Sequence, residues 1–289
     1  FLWCPGSGTP LKSIQKLLPG EAIVIKDGSI VDRWSWYKLP IFNNPKKNIN
    51  KEKAISGIAK YLRRAVHRQM VSDVPVGAFL SGGLDSSAIV SFAQEKNPNI
   101  RCFTIETLGG QDKGNVDDLP YAKRVAKHLN VSLDVVTIDS HRMASDLESM
   151  VIQLDEPLAD PAALNVLYIS QLAREQGIKV LLSGAGGDDL FTGYRRHYAL
   201  QLERYWSWLP RSARIGLESF TRNINVNSPI QRRVTKMFSG AGSDSINRLI
   251  NYFRWSSDTV LQSLYSPEFR QELAESNANQ VMQDFLEPI

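Results

Sequence analysis

Cysteine is scarce in this sequence, and long apolar runs are absent. The 289 residues include two cysteines, Cys4 and Cys102, which cannot form a disulfide framework, so we expect a cytoplasmic location. No apolar run approaches the ~20 residues that cross a bilayer, and no signal peptide opens the chain. We therefore expect no membrane partner. The first residue is Phe rather than Met, so we also expect a fragment or a processed form.

Two common phosphate-binding signatures are missing as well. The glycine-rich stretch at residues 81–87 is followed by no Gly-Lys-Ser or Gly-Lys-Thr, which excludes a Walker P-loop, and its glycine spacing does not fit a dinucleotide fingerprint. No Cys-x-x-Cys lies near Cys102, although sulfur-transfer enzymes usually need a reactive cysteine pair. No internal repeat or low-complexity tract is visible. These absences leave a globular chain whose main signal is the glycine-rich stretch itself.

The stretch Ser-Gly-Gly-Leu-Asp-Ser-Ser at residues 81–87 has the chemistry of an anion site. Its glycines allow φ > 0 and let backbone N–H groups approach a phosphate. Ser86 and Ser87 add hydroxyls where a helix dipole favours negative charge. Asp85 would repel phosphates unless a cation such as Mg²⁺ lies between them. The alternative is an ordinary strand-to-helix turn with a capping Asp or Ser.

Strands and helices are expected to alternate along the middle of the chain, which predicts an α/β fold with a parallel sheet and helices on both faces. Helices are expected near 51–70, 86–95, 119–129, 143–154 and 162–176, and strands near 74–80, 101–106, 133–138 and 178–182. Asp117 and Asp118 are expected to cap the third helix, and Gly177 to end the fifth. The loops at 81, 107 and 183 then share the carboxyl edge of the sheet, where such folds bind ligands.

The two ends of the chain lack the alternation of strands and helices that is expected in its middle. Residues 21–34 predict a β-hairpin with an Asp-Gly turn, which needs a further sheet to pack on. Residues 41–48 predict a linker. Between Arg195 and Arg254 there are eleven Lys or Arg against three Asp or Glu, interleaved with aromatic residues, among them Tyr205, Trp206 and Trp208. We expect a helical lobe with core aromatics and a solvated basic face; nucleic acid is the less favoured interpretation.

Three stretches together resemble the synthetase domain of glutamine-dependent asparagine synthetases. They are 76–87, Asp-Glu-Pro-Leu-Ala-Asp-Pro at 155–161, and Leu-Ser-Gly-Ala-Gly-Gly-Asp-Asp-Leu-Phe-Thr-Gly-Tyr at 182–194. The hairpin resembles the last one of that family's N-terminal glutaminase domain. The resemblance implies an adenine nucleotide alpha hydrolase-like (PP-loop ATP pyrophosphatase) fold for residues 45–289, with 194–289 as an incomplete helical lobe. It assigns residues 1–44 to a truncated glutaminase domain and the linker.

The resemblance also implies a function and a set of site residues. ATP and a carboxylate, aspartate or a related acid, would form an acyl-adenylate, and glutamine-derived ammonia would convert it to an amide. Asp85 and Asp188 would be catalytic and would hold Mg²⁺, with Asp189 orienting Asp188. The nucleotide-binding residues implied are Phe79, Ser81, Gly82, Gly83, Leu84, Asp85, Ser86, Ile105, Ser183 and Gly184. The glutaminase domain would belong to the same full-length chain, and a homodimer is compatible with the family.

The sequence departs from the family at three positions. Asparagine-making members carry an acid where this chain has Ala185, so the acceptor could differ. The family's catalytic Lys is not found before Ile289. Cys4 has three residues before it and cannot provide the free N-terminal cysteine that hydrolyses glutamine. Two other functions stay open: a different adenylating enzyme, such as a tRNA-modifying one, or a non-catalytic nucleotide-binding module, although the latter would be expected to lose its acids.

Overall fold

The computed structural model describes residues 1–40, 50–109, 118–222, 228–273 and 277–286. The predicted linker at 41–48 and most of the polar loop that ends at Asp117 lie outside the described residues. Contacts divide the chain into two units. The first unit comprises Phe1–Pro45, Asp155–Asp160 and Arg196–Ile289, and the second comprises Lys46–Leu154 and Pro161–Arg195. The domain boundary between residues 44 and 45 stays a prediction.

The predicted hairpin is confirmed. Strand β1 (Glu21–Lys26) pairs antiparallel with β2 (Ser29–Ser35). The turn residues Asp27 and Gly28 both have positive φ, 51° and 76°, as a type I′ turn requires. Apolar side chains of both strands are exposed, namely those of Val24, Ile25, Ile30, Val31 and Trp34. The hairpin thus presents apolar surface to its surroundings.

The second unit contains a four-stranded parallel sheet flanked by helices. Its elements in chain order are α1 (Lys51–Gln69), β3 (Val76–Phe79), α2 (Leu84–Gln94), β4 (Arg101–Leu108), α3 (Leu119–Leu129), β5 (Ser132–Asp139), α4 (Ser140–Gln153), α5 (Ala162–Glu175), β6 (Val180–Leu182) and α6 (Gly187–Leu190). The strand order is β5-β4-β3-β6, and every pair is parallel. This confirms the predicted α/β class.

Helices cover both faces of this sheet. Successive side chains of β4 point to opposite faces, and each face packs on different helices. Cys102 is fully buried in a cluster with Val66 of α1, Val90 of α2 and Ala122 of α3. Phe103, also fully buried, packs instead with Ile169 and other residues of α5. A strand buried on both faces is near-continuously apolar, which explains the run Val-Gly-Ala-Phe of β3.

Several predicted boundaries shift in the structure. Helix α2 begins at Leu84 rather than 86, with Gly83 as an N-cap that supplies no side-chain hydrogen bond. Strand β6 is shorter than predicted and begins at Val180. Asp118 occupies the N-cap position of α3, but its side chain makes no capping hydrogen bond. Gly177 has φ +77° immediately after the α5 C-cap, as predicted.

The carboxyl-terminal part of the first unit is helical, as expected. Its helices are α7 (Arg195–Glu203), which starts at the boundary, α8 (Arg211–Arg222), α9 (Pro229–Phe238), α10 (Ser245–Phe253), α11 (Asp258–Leu264), α12 (Pro267–Glu272) and α13 (Gln280–Leu286). Trp206 is buried and packs on Phe238, with ring centroids 5.2 Å apart. Tyr205 and Trp208 are exposed, so the expectation of core aromatics was wrong for them. Within the described ranges, no helix has the length and apolarity needed to cross a membrane.

Candidate functional site

The two glycine-rich loops lie at the same edge of the sheet. Strands β3 and β6 are direct neighbours, and Ala78 pairs with Leu182 at their carboxyl ends. The first loop leaves β3 at Leu80 and the second leaves β6 at Ser183. Since parallel neighbours end at the same edge, the loops emerge side by side, as the sequence predicted. All of the site residues named below belong to the second unit.

Hydrogen bonds among its own serines shape the first loop. The hydroxyls of Ser81 and Ser86 lie 3.0 Å apart, and the Gly83 N–H donates to the Ser81 hydroxyl over 3.3 Å. Ser86 and Ser87 both donate their hydroxyls to the Gly83 carbonyl, at 3.2 and 2.6 Å. The serine hydroxyls therefore fix the turn, in addition to any role at an anion. The N–H groups of the first α2 turn have no intrahelical partner and are the natural donors to a phosphate.

Gly82 brings this loop against the start of α3. Its φ is +78°, and a Cβ there would overlap the backbone of Tyr121 and Ala122. Only glycine allows this combination of left-handed backbone and close approach. The sequence identified the glycine but not its neighbour, because no local pattern marks the backbone of α3 as the contact.

Glycines of the second loop make direct contact with Asp85, the acidic residue of the first loop. A Cβ on Gly184 would lie 2.7 Å from the Ser86 nitrogen and 3.1 Å from the Asp85 Cβ, and one on Gly187 would overlap the Asp85 carboxylate. In the same loop, a Cβ on Gly193 would overlap the carboxylate of Asp188. Each carboxylate thus lies against a glycine position that has no room for a side chain. Gly187 and Gly193 were not among the predicted site residues.

The donor set fits Mg²⁺ bound together with a nucleotide. Asp85 packs on Gly187, whose chain neighbour is Asp188, so the first loop and the backbone that carries Asp188 are in contact. Among the residues that the structure describes, no group of three or more His, Cys, Asp or Glu could hold a metal by itself. Mg²⁺ usually needs only one or two carboxylates when phosphate oxygens complete its octahedron. These residues therefore suit a metal that arrives with a triphosphate.

The remaining predicted nucleotide residues lie at three places. Phe79, the last residue of β3, and Ile105, in the middle of β4, both pack on the buried cluster around Phe103. The Leu84 side chain is 85% exposed, so it has little packing against the residues that the structure describes. Ser183 is exposed, and its hydroxyl accepts the Ala185 N–H over 3.1 Å. Ala185 is also exposed.

Cys102, the cysteine of the second unit, is not suited to sulfur transfer. Cys102 lies inside β4, and burial raises the pKa of its thiol to about 12, so the thiolate is essentially absent at neutral pH. Cys4 is a free thiol in the first unit. Within the second unit, where Cys102 is the one cysteine, the thiolation alternative therefore has no reactive thiolate.

Comparison with known proteins agrees with this geometry. The family described as Asparagine synthase matches residues 57–287. Asparagine synthetase [glutamine-hydrolyzing] 1 of Bacillus subtilis is 32% identical over 195 residues, which are 67% of this chain and 29% of that protein. Amidase chyE of Penicillium rubens is 29% identical over 207 residues, covering 66% of this chain and 30% of the relative. The chain thus spans less than a third of the length of these relatives.

Among solved structures, NMN synthetase from Francisella tularensis aligns over 83% of this chain and 94% of its own, with a TM-score of 0.34 and 12% identity. A score this low adds nothing to the family match, which extends from α1 to α13 and includes both glycine-rich loops. The chain belongs to the asparagine synthase family.

Proposed function

We propose that this chain is the ATP-binding part of an ATP-dependent ligase that forms an amide from a carboxylic acid and ammonia. The observation that carries the proposal is the contact of Gly184 and Gly187 with Asp85, which brings two separate glycine-rich loops together. We assign the phosphates of ATP to the surface that these loops share. A strand-to-helix turn with a capping Asp would not need this contact, and Gly83 rather than an acid is the N-cap of α2. The family match and the relative named asparagine synthetase support the same activity.

In the proposed reaction, a carboxylate oxygen attacks the α-phosphorus of ATP and pyrophosphate leaves, giving an acyl-adenylate. Ammonia then attacks the acyl carbon, AMP leaves, and the amide forms with loss of a proton from nitrogen. The N–H groups at the start of α2 would orient the departing pyrophosphate, and Asp85 and Asp188 would hold Mg²⁺. When bound, Mg²⁺ would neutralise charge that develops on the leaving group.

The wider context is part of the proposal. The ammonia would come from glutamine through a glutaminase domain in the same full-length protein, to which residues 1–44 would belong. The hairpin exposes apolar side chains, such as those of Ile25, Ile30 and Val31. Such side chains are expected of a strand pair that packs on a larger sheet in the full-length protein. A cytoplasmic location and a homodimer remain part of this proposal, and nothing in it requires nucleic acid.

The second loop bears on the identity of the acceptor acid. Ala185 provides no carboxylate in the second loop, where the family's asparagine-making members have an acid. Loss of a positioned general base typically costs about 10²–10⁴-fold in rate. We therefore propose an acceptor other than aspartate.

Pyrophosphate release by the full-length protein tests this function. The assay supplies ATP, Mg²⁺ and ammonia with a panel of carboxylic acids, among them aspartate, sugar acids and peptides with acidic side chains. We expect one acid other than aspartate to stimulate release strongly, and Ala185→Glu either to raise aspartate-dependent release or to abolish the native reaction by filling the acceptor site. Asparagine formation by the unaltered protein at ordinary enzyme rates would show that the acceptor argument is wrong. Absence of release with every acid would contradict the ligase proposal.

A further inference from the structure

A strongly basic groove lies at the amino-terminal edge of the parallel sheet, away from the glycine-rich loops. It has a volume of about 370 Å³ and is formed by the carboxyl half of α1 and the turn after α2. Six basic side chains line it: Lys60, Arg63, Arg64, His67, Arg68 and Lys96. The proposed ligase reaction uses none of them.

Helix geometry aligns the cations along one face. Lys60, Arg64 and Arg68 are spaced four residues apart on α1, so their Cα atoms follow one another at about 6 Å along the helix axis. All three side chains are exposed, and so is Lys96, which follows α2. Like charges at this spacing repel one another. Such a row therefore gains from an anion that several of its members can bind at once.

The counter-charge within the groove is incomplete. Glu95 pairs with Arg63 at 3.0 Å and with His67 at 3.2 Å. Over the described part of the chain, Lys60, Arg64, Arg68 and Lys96 form no ion pair. One carboxylate thus faces five permanent positive charges, which favours a dianion over a monoanion.

Stabilisation of the helix dipole explains only part of this pattern. His67 and Arg68 lie in the last turn of α1, where cations interact favourably with the helix end. Lys60 and Arg64 are further from that end, and Lys96 belongs to another element. The dipole effect falls off within one turn, so it does not account for the whole cluster.

An apolar groove adjoins the basic one. It has a volume of about 450 Å³, and Met70, Val71, Val74, Pro75 and Val76 contribute its apolar lining. Both grooves share His67, Val71 and Lys96. Val71 lies where the two grooves meet, and it is 85% exposed and therefore accessible to a ligand. We infer that the joined groove binds a small phosphate monoester with an apolar body, the phosphate on the arginines and the body against Val71 and Val74.

This groove is separate from the candidate nucleotide site. Val74 and Val76 lie where the chain enters β3, whereas Ser81–Ser87 follow its carboxyl end. Strand β3 has four residues, which span about 13 Å at 3.3 Å each. Binding in the groove therefore neither needs nor blocks the glycine-rich loops.

Arginine-directed labelling of the full-length protein tests the inference residue by residue. Phenylglyoxal modification is followed by mass spectrometry with phenyl phosphate, inorganic phosphate or phenol present. We expect saturating phenyl phosphate to slow modification of Arg64 and Arg68 about tenfold, phosphate to protect more weakly, and phenol to give no protection. The exposed Arg222 in the first unit should react equally in every sample. Equal modification of Arg64 and Arg68 with and without phenyl phosphate would overturn the site.

A matched pair of variants provides a second measurement. Calorimetry with phenyl phosphate, at saturating Mg²⁺-ATP, should show about tenfold weaker binding for the double variant Arg64→Gln/Arg68→Gln. The double variant Lys123→Gln/Lys127→Gln removes two exposed cations at the same spacing from α3 and should bind normally. Equal loss in both pairs would reduce the effect to net charge and contradict the site. Protection by phosphate equal to that by phenyl phosphate would contradict the role of the apolar groove.

Discussion

The phosphate sites proposed at the two edges of the parallel sheet differ in how they are built. At the carboxyl edge, Gly82 allows the first loop to pack on the backbone of α3, and Gly184 and Gly187 allow the second loop to pack on Asp85. At the amino edge, long side chains such as Arg64 and Arg68 extend from a helix surface. The first arrangement depends on the absence of side-chain atoms and tolerates almost no change. The second depends on charge and tolerates substitution of one cation by another. This difference explains why the carboxyl edge can be recognised in the sequence, from its two glycine-rich stretches.

The largest effect of a single methyl group is expected at Gly187. Gly187→Ala places a Cβ on the Asp85 carboxylate and should weaken Mg²⁺-ATP binding about 10–100-fold, the usual consequence of displacing a metal-binding group. Protection of Arg64 by phenyl phosphate should not change, because that groove lies at the other edge. Gly57→Ala is the control, since this glycine of α1 has open space around its Cβ position. If Gly187→Ala bound Mg²⁺-ATP with unaltered affinity, the proposed difference between the two edges of the sheet would be wrong.

A smaller effect, on stability, is expected at Gly82. Gly82→Ala combines a left-handed backbone with overlap on the Tyr121 backbone, which together should lower the free energy of unfolding by about 3 kcal/mol. Gly177→Ala has a similar φ of +77° but open space, so it should cost only about 1 kcal/mol. Differential scanning calorimetry of both variants measures the difference. Equal melting temperatures would mean that the loop does not pack on α3.

The core between the edges should be closed to reagents. Cys102 is fully buried in β4, and its pKa is raised to about 12 by burial. Raising the pH from 7 to 9 keeps it far below this pKa, so iodoacetamide should leave Cys102 unmodified across that range and label it only in denaturant. Cys4, which is partly exposed, serves as the reactive reference under native conditions. Native labelling of Cys102 at a rate comparable to Cys4 would reopen the thiolation alternative.

Much of this fold could be predicted because its signals are local. Short apolar runs such as Val76–Phe79 mark buried strands, and Gly177 marks the end of a helix. The start of α2 was placed two residues late because its N-cap is Gly83, which offers no capping side chain. Trp208 could not be placed correctly, since whether an aromatic residue is buried depends on distant helices.

The candidate site was predictable in its loops but not in its contacts. Ser81–Ser87 and the loop after β6 were expected to be neighbours from the strand pattern alone. The packing of Gly187 on Asp85 and of Gly193 on Asp188 is tertiary and leaves no periodic trace in the sequence. The four-residue spacing of Lys60, Arg64 and Arg68 can be read from the sequence, yet a charged helix face is usually solvated. Only the structure joins it to Lys96 and to an apolar groove.

Calorimetric titration of the full-length protein with ATP, with and without Mg²⁺, tests the central claim that both loops form one Mg²⁺-ATP site. We expect Mg²⁺ to be required for tight binding, and Asp85→Asn and Asp188→Asn each to weaken it at least about tenfold while the melting temperature stays near that of the unaltered protein. Asp32→Asn, which removes an exposed carboxylate from β2, should bind Mg²⁺-ATP normally. Unaltered affinity in both loop variants would contradict the two-carboxylate site.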